Sequence, residues 1–325
     1  MGGLAAAAEL AGPLEMLPPV DFCCAYGSSL LPNSDSKSAM VDYILGVSDP
    51  VQWHSENLER NRHHYASWMA RLGPKTITRV ADGIGVGVHF NPFVQWSDKM
   101  IKYGVVRMQD LARDVLTWDR FYLSGRLQKP VQILIDNYDI GKVNEVNLKA
   151  ATAAALLLSE PEFTEEELYS KICSLSYMGD LRMLFAEDKN KVKKIVRGSS
   201  GAFQEMYRPF IVEYLIEGQL LELSDSAHQM AFRQDCGLAA TRSLFSSLPW
   251  AAQWRLEKSG PVAGGEVAAA ARAEAAGWTR RALRRRVMVS SARQAVSGLL
   301  AAGGVNAARY LGKKINKAWR SSRGS

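Results

Sequence analysis

The alternation of apolar and polar segments near the N-terminus predicts two buried strands joined by a polar loop. Residues 22–26 (FCCAY) and 40–47 (MVDYILGV) are mainly apolar, and residues 27–39 between them are rich in Ser. One carboxylate, that of Asp42, lies inside the second apolar run. A charge with apolar neighbours is costly to bury unless something pairs with it, and a metal ion is one natural partner. The alternative is an ordinary strand–loop–strand unit in which Asp42 is paired within the fold.

Residues 50–65 continue with helical periodicity. Trp53, Asn57, Asn61 and Tyr65 recur every four residues, which places them near one helical face. Two amides beside two aromatic rings are unusual for a core stripe, so Asn57, Asn61 and Tyr65 are candidates for hydrogen bonds to a base or a ribose. The alternative is a packed helix whose amides cap neighbouring loops.

Residues 100–131 contain three basic residues that are candidates for binding phosphate. Residues 100–106 (MIKYGVV) are typical of a strand with Lys102 inside it, and residues 106–118 have helical spacing. Residues 121–131 (FYLSGRLQKPV) then place Arg126 and Lys129 beside a turn glycine and a proline. Two cations three residues apart can bracket a chain of phosphates. Such cations can also snorkel to solvent or lie on an exposed basic turn.

A second, helical module is indicated from residue 137 onward. Residues 146–158 are rich in Ala and Leu, which favour helix, and Thr164 with Glu167 forms a capping box that predicts a helix from 165 to 175. Residues 210–216 and 220–223 resemble a strand pair, which would complete a winged-helix-like arrangement. Five glutamates crowd this module, and they would repel the phosphates of a nucleic acid; they are Glu160, Glu162, Glu165, Glu166 and Glu167.

The C-terminal region divides into a predicted linker and a predicted amphipathic helix. Residues 262–276 are rich in Ala and Gly, which indicates a linker. Beyond them, apolar residues such as Val296, Leu299 and Leu300 recur near helical spacing, with Arg and Lys between them. This pattern is typical of a helix that lies on an anionic membrane surface. The alternative is a surface helix docked on the protein.

The charge distribution supports an anionic partner for this tail. The 325-residue chain has 40 Lys and Arg against 33 Asp and Glu, a net charge of +7. Twelve of those cations and none of the acids lie from Gly277 onward, so the excess positive charge belongs to the tail. Such asymmetry indicates a lipid or nucleic-acid partner.

Length, cysteine content and the N-terminal segment bear on the number of domains and on the cellular compartment. The length favours two domains, and no run of about 18 apolar residues predicts a transmembrane helix. The four cysteines lack metal-binding spacing and favour a reducing compartment, where Cys23 and Cys24 fill a buried strand. The first 21 residues contain Glu9, Glu15 and Asp21 but no Lys or Arg, unlike a secretory or transit peptide.

Six sequence blocks occur in an order that resembles one enzyme family. They are YGSS…MVDYILGV (26–47), WHSENLERNRHHY (53–65), IKYGVV (101–106), FYLSGRLQKPV (121–131), LSYMGDLRM (175–183) and EDKNKVKKIV (187–196). Together they resemble the mitochondrial phosphatidate cytidylyltransferase family, also called CDP-diacylglycerol synthase or translocator assembly and maintenance protein. The resemblance covers about residues 22–207 and resumes faintly at 293–317.

The resemblance implies an α+β fold with a nucleotidyltransferase-like mixed sheet, flanking helices, a helical or winged-helix-like domain and a C-terminal amphipathic helix. The implied domains are a variable segment (1–20), a nucleotidyltransferase domain (21–136), the helical domain (137–245), a linker (246–276) and a basic membrane-associating tail (277–325). It also implies a peripheral protein on the matrix side of the mitochondrial inner membrane.

The resemblance further implies that CTP and phosphatidic acid react, with Mg²⁺ as cofactor, to give CDP-diacylglycerol and pyrophosphate. CDP-diacylglycerol feeds cardiolipin synthesis. Each implied role falls on residues of the blocks or of the loop between the first two strands. Implied catalytic residues are Asp42, Lys102, Arg126 and Lys129; nucleotide-binding residues are Gly27, Ser28, Ser29, Asn57, Asn61 and Tyr65; phosphatidate-binding residues are Tyr177, Asp180, Arg182 and Lys189; metal ligands are Asp42 and Asp35.

One departure from the nucleotidyltransferase pattern keeps two alternatives open. Many of these enzymes carry a second acid two residues after the first, whereas position 44 here is Ile. Asp35 is the candidate second ligand, and Asp136 is another. If neither serves, only one ion is firmly held. Two other classes stay open: a nucleotidyltransferase that acts on RNA or protein, and a non-catalytic membrane-associated assembly factor, which the absent second acid supports. The sequence leaves the oligomeric state open.

Overall fold

A five-stranded mixed sheet forms the N-terminal part of the protein in the computed structural model, which describes residues 8–27, 30, 40–180, 190–223, 230–253 and 265–302. The strands of this sheet are β1 (Phe22–Tyr26), β2 (Val41–Val47), β3 (Val88–Trp96), β4 (Lys99–Arg107) and β5 (Gln132–Asp136). Their spatial order is β3-β4-β2-β1-β5. Only β2 and β4 pair in parallel, and the other neighbours are antiparallel. The predicted α+β class and the two predicted N-terminal strands are confirmed.

The two faces of this sheet follow from strand alternation, since successive side chains point to opposite faces. Phe22, Cys24 and Ile44 pack on one face, which we call the Asp42 face. Cys23, Tyr43 and Leu45 pack on the other, which we call the Tyr103 face. Both faces are covered, which explains why β1 is buried at every position and has a continuous apolar sequence.

Helices cover both faces. The elements of the first module are α1 (Pro50–Arg60), α2 (Ser67–Leu72), α3 (Pro74–Gly83), α4 (Met108–Thr117) and α5 (Ser124–Leu127), with 3₁₀ turns at Gly12–Met16 and Arg62–His64. Helix α1 begins where predicted because the Asp49 side chain accepts hydrogen bonds from the backbone of Val51 and Gln52, and Pro50 occupies the first helical position.

The second module is mainly helical. It contains α6 (Ile140–Leu158), α7 (Glu165–Leu175), α8 (Lys191–Gly198), α9 (Ser200–Ile216), α10 (Leu238–Ser246) and α11 (Trp250–Gln253). A small sheet joins β6 (Glu162–Thr164), β7 (Leu220–Leu223) and β8 (Ala231–Gln234) in the order β6-β8-β7. The predicted capping box of Thr164 and Glu167 is confirmed, and it starts α7 at the predicted residue.

The predicted strand at residues 210–216 is wrong, because those residues form the last two turns of α9. Their buried members, Ile211 and Tyr214, lie three apart and pack with Phe203 and Tyr207 in one core. The periodicity of the whole helix decides the structure here. A seven-residue window rich in Ile, Val and Tyr resembles a strand because it is too short to show that periodicity.

The predicted linker is wrong over most of its length, because a single helix, α12 (Gly265–Ala302), begins inside it. Alanine is the strongest helix former, so an Ala-rich run is a helix once a partner covers one side. The partner here is the second module. The buried Arg272 guanidinium donates to the backbone oxygen of Leu156 and to Gln234 Oε1 at 2.8 and 2.6 Å.

The later turns of α12 dock on the first module, as the alternative reading of the tail expected. Arg293 donates to the backbone oxygens of Asp82, Gly83 and Ile84, which are left free where α3 ends. Trp68 Nε1 donates to the Leu300 oxygen at 3.2 Å. Residues 303–325 of the predicted tail lie outside the described residues. No described helix is both long and apolar enough to cross a membrane.

Candidate functional site

Asp42 lies near the start of β2 on the Asp42 face, between two neighbours supplied by strand register. It is opposite Tyr26 of β1 and Lys102 of β4. Lys102 Nζ is 3.5 Å from Asp42 Oδ1, and both side chains are about one-quarter exposed, at 23% and 24%. The Lys102 ammonium also lies 4.3 Å from the centre of the Phe90 ring. The sequence prediction of a charged centre at Asp42 and Lys102 therefore corresponds to two adjacent side chains.

Gly27 follows β1 and packs directly against the Asp42 carboxylate. Its φ is +111°, a conformation that non-glycine residues rarely adopt, and a Cβ built there would lie 3.1 Å from Asp42 Oδ2. Glycine at this position therefore keeps the backbone close to the acid. Ser28, Ser29 and Asp35 lie outside the described residues.

Arg126 approaches the same centre from α5. Its guanidinium carbon lies 4.4 Å from the centre of the Tyr26 ring and 4.9 Å from that of Tyr122. It donates from Nη2 to the Tyr122 hydroxyl at 3.0 Å. Burial lowers the pKa of Arg126, but Tyr122, Tyr26 and Asp42 raise it by more, so the pKa stays above its ordinary value. Arg126 is therefore a fixed positive charge.

Three polar atoms of this cluster are buried and have no hydrogen-bond partner among the described residues: Tyr26 Oη, Asp42 Oδ1 and Arg126 Nε. Two of them are donors, and one is a carboxylate acceptor. Asp42 Oδ1 has the Lys102 ammonium at 3.5 Å but accepts no hydrogen bond. Buried polar atoms nearly always have a hydrogen-bond partner, so this set of three, which we call the unpaired set, needs an explanation. An anion held by the donors, with a cation held by the carboxylate, would satisfy all three.

Asp114 organises the segment that carries Arg126, and sequence reasoning did not select it. Five consecutive backbone N–H groups, from residues 120 to 124, donate to its two oxygens at 2.7–3.2 Å. Asp114 is 4% exposed, so these bonds replace water completely. The position of Asp114 in the helix could have identified it from the sequence. Asp114 lies on the buried stripe of α4 with Leu111, Val115 and Trp118, where an acid must have a partner.

Lys129 lies beside Tyr177 and Ser176, at the junction with the second module. Its ammonium donates to Ser176 Oγ at 2.6 Å and to the Gly125 oxygen. It also lies 5.0 Å from the centre of the Tyr177 ring, and Lys191 Nζ lies 5.3 Å from the same ring. Lys129 therefore contacts Tyr177, which was predicted to bind phosphatidate. Arg126, which was predicted to bracket the phosphates together with Lys129, contacts Tyr26 and Tyr122 instead.

Asp180 closes the turn after Tyr177 and is 2% exposed. Its backbone N–H donates to the Tyr177 oxygen at 3.2 Å. A Cβ at the preceding Gly179 would lie 2.8 Å from Arg284 of α12, so that helix packs against the turn. Arg182 and Lys189, the other predicted phosphatidate-binding residues, lie outside the described residues.

Asn57, Asn61 and Tyr65 belong to a buried network on the Tyr103 face, which corrects their predicted nucleotide-binding role. Asn57 Nδ2 donates to the hydroxyls of Tyr65 and Tyr103, both at 2.8 Å. Asn61 Nδ2 donates to Asn57 Oδ1 and to the Met16 oxygen at 2.9 and 2.7 Å. The sheet separates these amides from Asp42. Their periodicity resembled a binding face because a polar core and a ligand site use the same residue types.

Three histidines of this network stay neutral at physiological pH. His54 Nδ1 lies 2.8 Å from the Tyr65 hydroxyl, and burial lowers the pKa of His54 well below its usual value. His64 Nδ1 lies 2.8 Å from the Tyr103 hydroxyl, and His89 packs against the Tyr65 ring at 5.8 Å between centroids. Burial lowers the pKa of His64 and of His89 to about 4. The network therefore carries no charge that could bind a phosphate.

Asp136 does not serve as the second metal ligand, because its carboxylate accepts from the backbone N–H groups of Ile140 and Gly141 at the start of α6. It pairs with Phe22, whereas Asp42 pairs with Tyr26, so about 13 Å of strand separates the two acids. Within the described residues, no group of three or more His, Cys, Asp or Glu side chains is placed to hold a metal ion.

Comparison with a family model and with known proteins gives matches that carry the same name. The family model described as phosphatidate cytidylyltransferase, mitochondrial, matches residues 10–317. The protein of that name from Mus musculus is 34% identical over 315 residues, covering 91% of this chain and 90% of the mouse protein. The Danio rerio protein is 35% identical over 319 residues, covering 94% and 93% of the two chains.

Shorter alignments to mammalian proteins of the same name have higher identity. The Homo sapiens protein is 43% identical over 194 residues, covering 58% of this chain and 43% of the human protein. The Bos taurus protein is 43% identical over 195 residues, covering 58% and 57%. The chain thus aligns with about half the length of these two relatives.

Proposed function

The chain belongs to the mitochondrial phosphatidate cytidylyltransferase family, and we propose that it catalyses the reaction for which its relatives are named. CTP and phosphatidic acid would give CDP-diacylglycerol and pyrophosphate. A phosphate oxygen of phosphatidic acid attacks the α-phosphorus of CTP, the bond from that phosphorus to the β-phosphate bridging oxygen breaks, and pyrophosphate leaves. No strong general base is needed, because the attacking oxygen is already an anion.

The unpaired set of Asp42 Oδ1, Arg126 Nε and Tyr26 Oη carries this proposal. The obstacle to the reaction is charge, since a lipid phosphate must approach a triphosphate. A carboxylate oxygen beside two cations suits a metal-bound phosphate, because Mg²⁺ binds through one or two carboxylates plus substrate phosphates and water. A single protein carboxylate therefore fits Mg²⁺ when nucleotide supplies other ligands.

The acidic and basic residues of the Asp42 face have different proposed roles: the acid binds the metal ion, and the cations stabilise the phosphates. Asp42 would hold Mg²⁺, with Asp35 as the proposed second protein ligand. When bound, the ion would neutralise charge on the α-phosphate and on the departing pyrophosphate. Lys102 and Arg126 place fixed positive charge beside that carboxylate. Gly27 lets the backbone approach the β- and γ-phosphates, and Ser28 and Ser29 would donate to them.

Lys129 and Tyr177 support a separate wall for the lipid phosphate. Lys129 and Lys191 both lie close to the Tyr177 ring, so this ring has two ammonium groups as neighbours. The headgroup of phosphatidic acid is a dianion and needs such a surface. We place Tyr177, Asp180, Lys129, Arg182 and Lys189 at this wall, the last two from the sequence.

Transfer of label from CTP into lipid tests the function. With CTP labelled in the α-phosphate, phosphatidic acid and Mg²⁺, label should appear in chloroform-soluble CDP-diacylglycerol, and pyrophosphate should be released in equal amount. Label in protein or RNA would show a macromolecular acceptor. Absence of labelled product would identify a non-catalytic assembly factor, and either result would reject the proposal.

The outward face of α12 supports peripheral attachment to an anionic membrane, proposed here as the matrix side of the mitochondrial inner membrane. It exposes Arg280, Arg281, Arg284 and Arg285, followed by apolar residues that are 42–49% exposed: Met288, Val289, Val296 and Leu299. No acid follows Glu274 in the sequence. Basic and apolar residues on one exposed face suit an anionic lipid surface.

Charge reversal on this face is expected to release the protein from vesicles. The double variant Arg280→Glu, Arg285→Glu should lose most sedimentation with cardiolipin-containing vesicles, since each cation near the surface contributes about 1 kcal/mol. A matched variant, Arg60→Glu with Lys142→Glu, changes net charge equally on exposed residues elsewhere and should bind as wild type. Equal sedimentation of both variants would contradict this surface.

A further inference from the structure

The reaction scheme gives Asp42 and Arg126 roles through their charge, but it names no specific contact for the Tyr26 hydroxyl. The side chain is 7% exposed, and its oxygen has no hydrogen-bond partner among the described residues. Nothing in the resemblance to relatives assigned a role to this residue, because the sequence presents it as the last apolar position of β1.

The ring of Tyr26 has a task that phenylalanine would perform equally well. The Arg126 guanidinium carbon lies over this ring, 4.4 Å from its centre, and that attraction depends on the ring face. The hydroxyl adds nothing to that contact. A buried hydroxyl without a partner is instead unfavourable relative to an apolar group of the same shape. Its presence is therefore unfavourable for the described fold alone.

The position and protonation of the hydroxyl suit a contact with a bound phosphate. Tyr26 lies directly opposite Asp42 on the neighbouring strand, and Gly27 follows it against the same carboxylate. A tyrosine phenol carries its proton at physiological pH, so the Tyr26 hydroxyl is available as a hydrogen-bond donor beside the Arg126 guanidinium.

We infer that the Tyr26 hydroxyl donates a hydrogen bond to a phosphate oxygen of the nucleotide bound beside Asp42. This inference rests on the proposed function, and it makes Tyr26 a residue that contacts substrate. It also explains the unpaired atom, since the hydroxyl gains its acceptor only when nucleotide arrives. A hydrogen bond to a charged acceptor is strong enough that its loss should weaken binding or turnover about ten- to hundredfold.

The variant Tyr26→Phe tests the inference because it removes one oxygen and keeps the ring on Arg126. Three quantities are compared with wild type: Tm without ligand, the Kd for CTP with Mg²⁺ by calorimetry, and kcat/KM for lipid labelling. We expect an unchanged or higher Tm, together with a ten- to hundredfold higher Kd for CTP, a ten- to hundredfold lower kcat/KM, or both. Tyr214→Phe removes another buried hydroxyl, in α9 of the second module, and should leave nucleotide binding and turnover unchanged.

Each other outcome overturns the inference in a recognisable way. A Tyr26→Phe protein with a lower Tm without ligand would show that the hydroxyl is bonded within the protein. Wild-type Kd and kcat/KM in Tyr26→Phe would show that the hydroxyl contacts no nucleotide, while the proposed function would stand. A wild-type protein that neither binds CTP nor labels lipid would reject the proposed function, and the inference with it.

Discussion

Replacement of Asp42 by asparagine is expected to lower lipid labelling from CTP by three orders of magnitude or more while the protein stays folded. The change removes one charge from the group proposed to hold Mg²⁺. The charge stabilisation that a metal ion supplies to phosphoryl transfer amounts to several kcal/mol, and each 1.36 kcal/mol is a factor of ten in rate. The measurement is kcat/KM with saturating Mg²⁺.

Two controls distinguish loss of a metal ligand from general damage to the protein: the unfolding free energy of Asp42→Asn, and the turnover of a variant that replaces another acid. The Asp42–Lys102 pair is partly exposed, so its loss should cost no more than about 1 kcal/mol of unfolding free energy. Asp21 lies just before β1, at the other end of the sheet, and its carboxylate accepts a hydrogen bond from Ser48. The variant Asp21→Asn should retain wild-type turnover. Near-normal turnover of Asp42→Asn would remove Asp42 from the metal site.

Asp114→Asn is expected to lower the unfolding free energy by about 3–5 kcal/mol. The native carboxylate accepts five backbone N–H groups, and an amide has one oxygen and presents its own N–H groups to the remaining donors. Each buried donor left unpaired costs about 1–3 kcal/mol. Thermal or denaturant unfolding measures the loss. Turnover should fall too, because the freed segment carries Tyr122 and Arg126.

Asp110→Asn is the matched control on the same helix. Asp110 pairs with Arg107 and Arg113, and both arginines keep access to solvent, so its replacement should cost about 1 kcal/mol. If Asp114→Asn were no less stable than Asp110→Asn, the five hydrogen bonds would not be what holds residues 120–124.

Strands and capped helices could be predicted from the sequence because their signals are local. The apolar run of β1 and the Thr164–Glu167 box need only neighbouring residues to define them. The pairing of Asp42 with Lys102 could not be derived, because it depends on the parallel register of β2 and β4. The resemblance to relatives selected both residues without supplying that geometry.

The remaining errors share one physical cause. Residues 57, 61 and 65 were predicted to bind nucleotide from their helical spacing and residue types, and residues 265–276 were predicted to be a linker from their Ala and Gly content. In both cases the deciding factor was the partner that covers the residues: the Tyr103 hydroxyl for Asn57, and the second module for α12. Asp114 was missed for the same reason, since its five donors belong to residues that follow it in the chain.

The position of the metal ion tests the central claim most directly. A crystal grown with CTP and Mn²⁺, which replaces Mg²⁺ and gives an anomalous signal, should place the ion in direct coordination with the Asp42 carboxylate, and the triphosphate should lie beside Lys102 and Arg126. An ion and a nucleotide bound elsewhere, with the Asp42 carboxylate contacting neither, would contradict the account.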